Sequence, residues 1–166
     1  MNTLEQAKPH EFDACMQILR EGRAFQQEQG FIQWTPEYPS EALVREDIRT
    51  GGGWLYKIDG EPAGYMYLSF EPDPSYADPA CAWRRDVPYA AVHRIALSRR
   101  FAGKGLSCAV FGAIRELCRA RGVSCIRIDT DKKNARMQHV LEKNGFVRCG
   151  CVLFEGDKKL AYDCFF

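Results

Sequence analysis

His93-Arg94-Ile95-Ala96-Leu97-Ser98-Arg99-Arg100-Phe101-Ala102-Gly103-Lys104-Gly105-Leu106-Ser107 decides how the chain is read. The run through Leu97 is strand-like, and two glycines one residue apart follow it. Beyond them Leu106, Ala109, Val110, Ala113, Ile114, Leu117 and Cys118 recur at the three-and-four spacing of one buried helix face. Arg115, Glu116, Arg119 and Arg121 fall off that face, and Gly122 stands where a helix ends in the left-handed conformation. The stretch predicts strand, glycine loop and helix.

A helix that opens straight out of a glycine loop has N–H groups without intrahelical acceptors, and they point at whatever lies beyond the loop. The aligned peptide dipoles place roughly half a positive charge there, so the natural guest is an anion, most often phosphate. Arg99, Arg100 and Lys104 add cationic side chains around the same spot. A plain strand-to-helix turn would use the same glycines. The pattern is neither a Walker loop, because no Gly-Lys-Ser/Thr closes it, nor a Rossmann fingerprint, whose third glycine is missing.

In order and spacing these residues resemble the GNAT family of acyl-CoA-dependent N-acyltransferases. Arg100-Phe101-Ala102-Gly103-Lys104-Gly105 fits that family's Arg/Gln-x-x-Gly-x-Gly/Ala pyrophosphate loop, and Ile95-Ala96-Leu97 precedes it where the family has the strand that pairs with pantetheine. Val123 to Asp129 follows as the next strand, Asn134 begins the next helix, and Leu141-Glu142-Lys143-Asn144-Gly145-Phe146 is similar to the family's Leu-Tyr-Glu-Lys-x-Gly-Phe ending. The resemblance spans about residues 89 to 150. Two positions depart from it. Ala102 sits directly before Gly-Lys-Gly, where the commoner phase of the motif has Arg or Gln and closes on Gly or Ala at the position of Ser107. Leu141 stands where many members carry a tyrosine that protonates the CoA thiolate.

The resemblance implies an α/β (α+β) fold over a single domain, residues 1–166: a mixed, mostly antiparallel central sheet with splayed central strands, flanked by about four helices. It implies acetyl-CoA as co-substrate. Arg100, Phe101, Ala102, Gly103, Lys104, Gly105, Leu106 and Ser107 would hold the pyrophosphate, and Ile95, Ala96 and Leu97 the pantetheine arm. Asn134 would both cap its helix and bond that arm. Strands 89–97 and 123–129 would separate at one end, with the thioester between them. The implied activity is an N-acetyltransferase acting on a primary amine of a small molecule, amino acid or peptide.

Such an amine arrives mostly as ammonium, with a pKa around 10 for a lysine-like group, so a side chain must take a proton before nitrogen can attack. Asp129 ends the 123–129 strand five residues before Asn134, where some family members resembling this chain carry a base carboxylate. His93 lies on the facing strand, and imidazole titrates near neutral pH. Either could act through water. Asp129-Thr130-Asp131 before a helix is equally ordinary capping chemistry, and a central-strand histidine is often a hydrogen-bonded core residue. Arg94 alternates with His93, so the two are expected on opposite faces. For the leaving thiolate, departure unassisted or protonation by Tyr89, Tyr162, Cys149 or Cys151 all stay open.

The aromatic, acidic segments 31–38 and 71–89 are expected to wall the acceptor pocket. Trp34, Tyr38, Tyr76, Trp83 and Tyr89 would bind an organic amine, while Asp73, Asp78 or Asp86 attract its charge. The same aromatics would also suit a small second core under loops.

A net charge of +1 on 166 residues gives no reason to expect nucleic acid or an anionic membrane as partner. No apolar run approaches the ~20 residues of a membrane span, and the N-terminus lacks a signal peptide's pattern, so a cytoplasmic protein is expected. The eight cysteines include no Cys-x-x-Cys, which favours reduced thiols packed as small core residues and no metal. A homodimer is compatible with the sequence. A CoA-binding sensor without turnover and a nucleotide or phosphate binder are the rival readings.

The rest of the chain predicts a strand at 2–7, an amphipathic helix over 10–29 broken near Gly22, and a helix capped by Ser40. An Asp59-Gly60 hairpin joins 54–58 to 63–70. Residues 71–88, with four prolines, predict a surface connection. A helix over 133–144 precedes a last hairpin, 146–154 and 160–166, around a five-residue loop at 155–159.

Overall fold

Alternation and helical spacing resolve into seven strands and four helices in the computed structural model, which describes residues 1–166. The order is β1 (Asn2–Gln6), α1 (Phe12–Glu28), α2 (Glu41–Arg49), β2 (Gly53–Ile58), β3 (Glu61–Ser69), β4 (Ala90–Leu97), α3 (Leu106–Ala120), β5 (Cys125–Thr130), α4 (Ala135–Lys143), β6 (Val147–Phe154) and β7 (Asp157–Phe165). The strands form one sheet in the order β1-β2-β3-β4-β5-β7-β6. β4 and β5 run parallel, while β1–β2, β2–β3, β5–β7 and β6–β7 are antiparallel. The mixed, mostly antiparallel sheet with four helices is the expected fold class. The chain divides into two compact units, Met1–Leu68 with His93–Ile114, and Ser69–Val92 with Arg115–Phe166.

In the first unit α1 turns Phe12, Cys15, Met16, Ile18 and Leu19 onto a core shared with Val44 and Ile48 of α2, Leu55, Tyr65 and Ala96. α1 runs unbroken through Gly22, contrary to expectation. A Cβ there would lie 2.8 Å from the Trp34 ring and 3.1 Å from the Ala96 Cβ, so the glycine serves close packing rather than a break. Ser40 caps α2 as expected, its hydroxyl accepting from the Leu43 N–H at 3.1 Å.

At the centre of this unit sits an ion pair. Arg94 of β4 donates to both carboxylate oxygens of Asp47, Nε to Oδ2 at 3.0 Å and Nη2 to Oδ1 at 2.8 Å; Asp47 is buried and the Arg94 side chain is only 10% exposed. The Tyr65 hydroxyl donates to the same Oδ2 at 2.7 Å, and Arg94 Nη1 reaches the Tyr38 hydroxyl at 3.3 Å. Arg94 itself is left-handed, with φ 51°. That corrects the expected alternation: the kink interrupts the pleat, and the Tyr67 ring meets both the Arg94 guanidinium at 4.3 Å and the His93 ring at 6.2 Å.

In the second unit β5 pairs with β7 from Cys125↔Phe165 to Thr130↔Leu160. Its parallel ladder with β4 comprises Ala90↔Ile126, Ala91↔Arg127 and Val92↔Ile128 and ends there. The last hairpin turns on two residues, not five: Glu155 (φ 49°) and Gly156 (φ 84°) are both left-handed, which matches the twist of the flanking strands. Asp157, Lys158 and Lys159 therefore belong to β7, and Lys159 is buried because its ammonium meets Asp131 Oδ2 at 3.0 Å.

The 71–88 segment is not merely a surface connection. Tyr76 and Cys81 are buried in a cluster with Ala91, Cys149, Val152 and Ala161, with Trp83 and Tyr89 packed against it. Its prolines keep it out of the sheet yet leave its aromatics free to be buried. The Ala82 N–H fastens it to the Cys149 carbonyl at 3.0 Å.

All eight cysteines are unpaired. Burial pushes the Cys15 and Cys149 thiols up to about 12 and those of Cys81, Cys118 and Cys125 to about 11, so they stay protonated and act as small packing groups.

Removing the acceptor at the centre of the first unit tests this description. Asp47→Ala should cost about 3–5 kcal/mol in urea unfolding, because it strands a buried guanidinium. Tyr65→Phe should cost only about 1 kcal/mol. A loss below about 1 kcal/mol for Asp47→Ala would show that the pair does not hold the kink.

Candidate active site

The ligand-binding candidates begin on β4. Ala96 is buried, Ile95 and Leu97 are half-buried, and the Ser98 N–H closes the strand on the Ala63 carbonyl at 2.7 Å. Gly64 lets β3 approach closely, since a Cβ there would come within 3.0 Å of the Leu97 side chain.

After a single turn at Arg99–Phe101 the chain enters Gly103 (φ 85°), Lys104 (φ 54°) and Gly105 (φ 75°), three successive left-handed residues, and then α3. The Leu106 and Ala109 N–H groups bond the Gly103 and Gly105 carbonyls at 3.1 and 3.0 Å. The Lys104, Gly105, Ser107 and Cys108 N–H groups have no carbonyl acceptor in the chain. Residues 102–105 are exposed, and a Cβ at Gly103 or Gly105 would meet nothing within 4 Å. Unpaired amides at a helix start, with open space before them, suit a diphosphate.

The flanking cations are partly engaged. Arg99 pairs with Glu28, Nη1 to Oε1 at 3.0 Å, and Arg100 with Glu61 at 2.7 Å. Such exposed pairs are worth little, and either arginine can exchange its partner for a phosphate. Lys104 is exposed and Ser107 half-buried. The buried face of α3 is Leu106, Val110, Phe111, Ile114 and Cys118. Ala109, expected on that face, is exposed, and Phe111, which the spacing omitted, is buried.

The candidate bases are held differently. His93 stands beside Tyr67 in the first unit. Asp129, near the end of β5 in the second, accepts at Oδ1 a hydrogen bond from the Tyr76 hydroxyl at 2.7 Å. Burial first, and the Asp129 charge next, hold the Tyr76 phenol well above its ordinary range, so it stays a donor. Asn134 caps α4, its Oδ1 accepting from the Met137 N–H at 3.1 Å.

The aromatic candidates fall into two groups. Trp34 is buried against Gly22, with its backbone N–H on Gln26 Oε1 at 2.9 Å, and Tyr38 accepts from Arg94. Trp83 donates its indole N–H to the Tyr76 carbonyl at 2.8 Å, and the Tyr89 hydroxyl accepts from the Asp73 N–H at 2.7 Å. Their rings flank the Arg127 guanidinium at 4.4 and 4.2 Å. A separate cleft of about 100 Å³ in the first unit is lined by Met16, Leu19, Arg20, Arg23, Thr35, Pro36, Pro39 and Glu41, none of them a predicted site residue.

Leu141 is fully buried and carries no proton to give. Burial raises both Tyr162 and Cys149, the latter to about 12, so both release a proton less readily than a free phenol or thiol. No group of three or more His, Cys, Asp or Glu is placed to hold a metal ion, and no helix is long and apolar enough to cross a membrane. The Tyr76–Asp129 and Arg94–Asp47 contacts escaped the sequence reading, because no local spacing signals pairs 53 and 47 residues apart.

A family model described as the acetyltransferase (GNAT) family matches residues 15–146. Among solved structures, a GNAT-family acetyltransferase from Streptococcus agalactiae is 32% identical, covers 99% of this chain and 95% of its own, and superposes with a TM-score of 0.87. The PaiA N-acetyltransferase from Thermoplasma acidophilum, solved with coenzyme A, shares the fold at 12% identity and a TM-score of 0.75, over 100% of this chain and 99% of its own. AAC(6')-Ib, solved with ribostamycin and coenzyme A, shares it at 21% identity and a TM-score of 0.71, over 99% and 93%. No curated protein matches the sequence.

The glycine loop yields a direct test. Gly105→Glu puts a side chain at φ 75° and a negative charge against the unpaired amides. Affinity for coenzyme A, measured by titration calorimetry, should fall at least about tenfold, or ~1.4 kcal/mol. An unchanged affinity would place the diphosphate elsewhere.

Proposed function

The chain belongs to the GNAT acetyltransferase family, and from that premise we propose that it moves an acetyl group from acetyl-CoA to a primary amine on a small molecule, amino acid or peptide, by direct attack with both substrates bound. The observation that carries this reading is the run of left-handed residues 103–105 opening α3 with unpaired, exposed amides.

In this reading the Lys104, Gly105, Ser107 and Cys108 amides grip the diphosphate, with Arg100, Phe101, Ala102, Gly103 and Leu106 shaping the loop around it. Ile95, Ala96 and Leu97 offer backbone groups to the pantetheine amides as a neighbouring strand would, and Asn134 adds a contact to that arm. Bound acetyl-CoA supplies a thioester carbonyl carbon open to an amine and a thiolate able to leave. A β4 backbone N–H polarises that carbonyl.

Asp129 is the better-supported base, since an ionised carboxylate fixed by a donor is ready to take the ammonium proton, directly or through water. His93 is the second candidate. With Leu141 buried, the thiolate leaves unassisted, which an ordinary thiol pKa near 8.5 permits. Trp34, Tyr38, Trp83 and Tyr89 are taken as acceptor-binding residues, and their aromatic character favours an organic amine. We take the acceptor to be a soluble small molecule or peptide met in the cytoplasm, without metal, nucleic acid or membrane. A homodimer is compatible with this. Leu141 also favours the rival reading, a CoA-binding sensor without turnover.

Thiol release from acetyl-CoA across a panel of amines separates the two, since binding without release in any amine supports the sensor. Asp129→Asn should lower turnover at least about a hundredfold with coenzyme A affinity within about twofold, and His93→Ala should do so if the imidazole is the base. Full activity in both variants would remove both from the chemistry.

A further inference from the structure

We propose that Tyr76 is a positioning residue for the acetyl transfer, its buried hydroxyl orienting the Asp129 carboxylate and holding it anionic. The inference rests on the assignment of Asp129 as the base.

The segment from Asp73 to Tyr89 is folded so as to deliver one rigid phenol. The Asp73 side chain caps the short turn Pro74–Ala77 by accepting from the Ser75 N–H at 2.9 Å, and the Tyr76 N–H bonds the Asp73 carbonyl at 3.0 Å. The Trp83 indole N–H takes the Tyr76 carbonyl, and the Trp83 and Tyr89 rings stand 5.1 and 6.1 Å from the Tyr76 ring. The Tyr89 hydroxyl in turn accepts from the Asp73 N–H. What this leaves at the end is a side chain 2% exposed whose hydroxyl lies 2.7 Å from Asp129 Oδ1.

A phenylalanine would fill the same space. The hydroxyl is therefore explained by the carboxylate it meets, and a neutral donor bonded to a carboxylate favours the ionised form. It also fixes the Oδ1 end of the carboxylate, and with it the orientation of the group on β5. The phenol does not compete for that proton, because its own ionisation is suppressed by burial.

Charged and titratable groups near the pair include Asp73 and Tyr89 of the same segment, Arg127 two residues before Asp129 on β5, and the Asp131–Lys159 ion pair that ties β7 to the chain after β5. Opposite Asp129, β7 presents Ala161, flanked by Leu160 and Tyr162, and the β4 residues of this unit, Ala90 to Val92, are apolar. Tyr76→Phe alters none of these side chains directly.

The test compares full-length wild type, Tyr76→Phe, Asp129→Asn and the double variant, using acetyl-CoA and the most active amine of the panel. In Tyr76→Phe the acid limb of the kcat profile should move up by about one pH unit, because a carboxylate without its donor takes up a proton at higher pH. Turnover should fall about tenfold at pH values below both limbs with KM much less affected, and lie within about threefold of wild type above them. In the Asp129→Asn background the same change should do nothing further. Trp83→Phe, which frees the Tyr76 backbone, should move the limb less in the same direction, and it serves if Tyr76→Phe does not fold. An unmoved limb in the folded variant, with Asp129→Asn strongly impaired, would reduce Tyr76 to packing. Full activity of Asp129→Asn would instead overturn the base assignment itself.

Discussion

The bidentate grip of Arg94 on Asp47 holds a left-handed residue within the strand that leads into the glycine loop. A non-glycine residue at φ 51° inside a strand costs on the order of 1–2 kcal/mol and persists only where its surroundings insist on it. Here two hydrogen bonds to a buried carboxylate, an aromatic face and a tyrosine hydroxyl all hold the guanidinium. The kink follows two residues after the β4–β5 ladder stops at Val92↔Ile128. A well-packed hydrophobic pair could match such a buried ion pair in stability, so what the pair adds is one specified backbone conformation.

From that strand the chain reaches the loop, where backbone does what side chains cannot. Three left-handed residues in a row leave amides without carbonyl acceptors, and a Cβ at either glycine would meet nothing within 4 Å. Lys104 occupies the third despite its Cβ, and its side chain is exposed beside the amides. Arg99 and Arg100 are held only by exposed ion pairs with Glu28 and Glu61, which are screened and weak, so their guanidinium groups are loosely placed beside the loop.

The local chemistry of the fold was legible in the residues. Ser40 and Asn134 cap helices, Asp59-Gly60 turns a hairpin, and the strand, glycine loop and helix of 92–120 lie where spacing puts them. What escaped was tertiary. Gly22 reads as a break until Trp34 is found against it, and Lys158 and Lys159 read as loop until Asp131 is found to satisfy one of them inside a strand. Strict alternation separates His93 from Arg94, because a left-handed arginine leaves no trace in sequence unless its partner, 47 residues away, is known.

The proline-rich segment before β4 shows how such distant pairs arise. A chain that cannot join a sheet must satisfy its polar groups by other means, and this one does so partly through Asp73, Trp83 and Tyr89 and partly on the neighbouring strands. Once that closure is made, Tyr76 is held at its backbone and at its ring, and a desolvated hydroxyl without an acceptor would cost about 1–3 kcal/mol. Asp129 supplies an acceptor, so the segment and the end of β5 are tied to each other through the hydrogen bond of one buried tyrosine. Composition makes the segment look dispensable, but this bond ties it to β5 across 53 residues of chain.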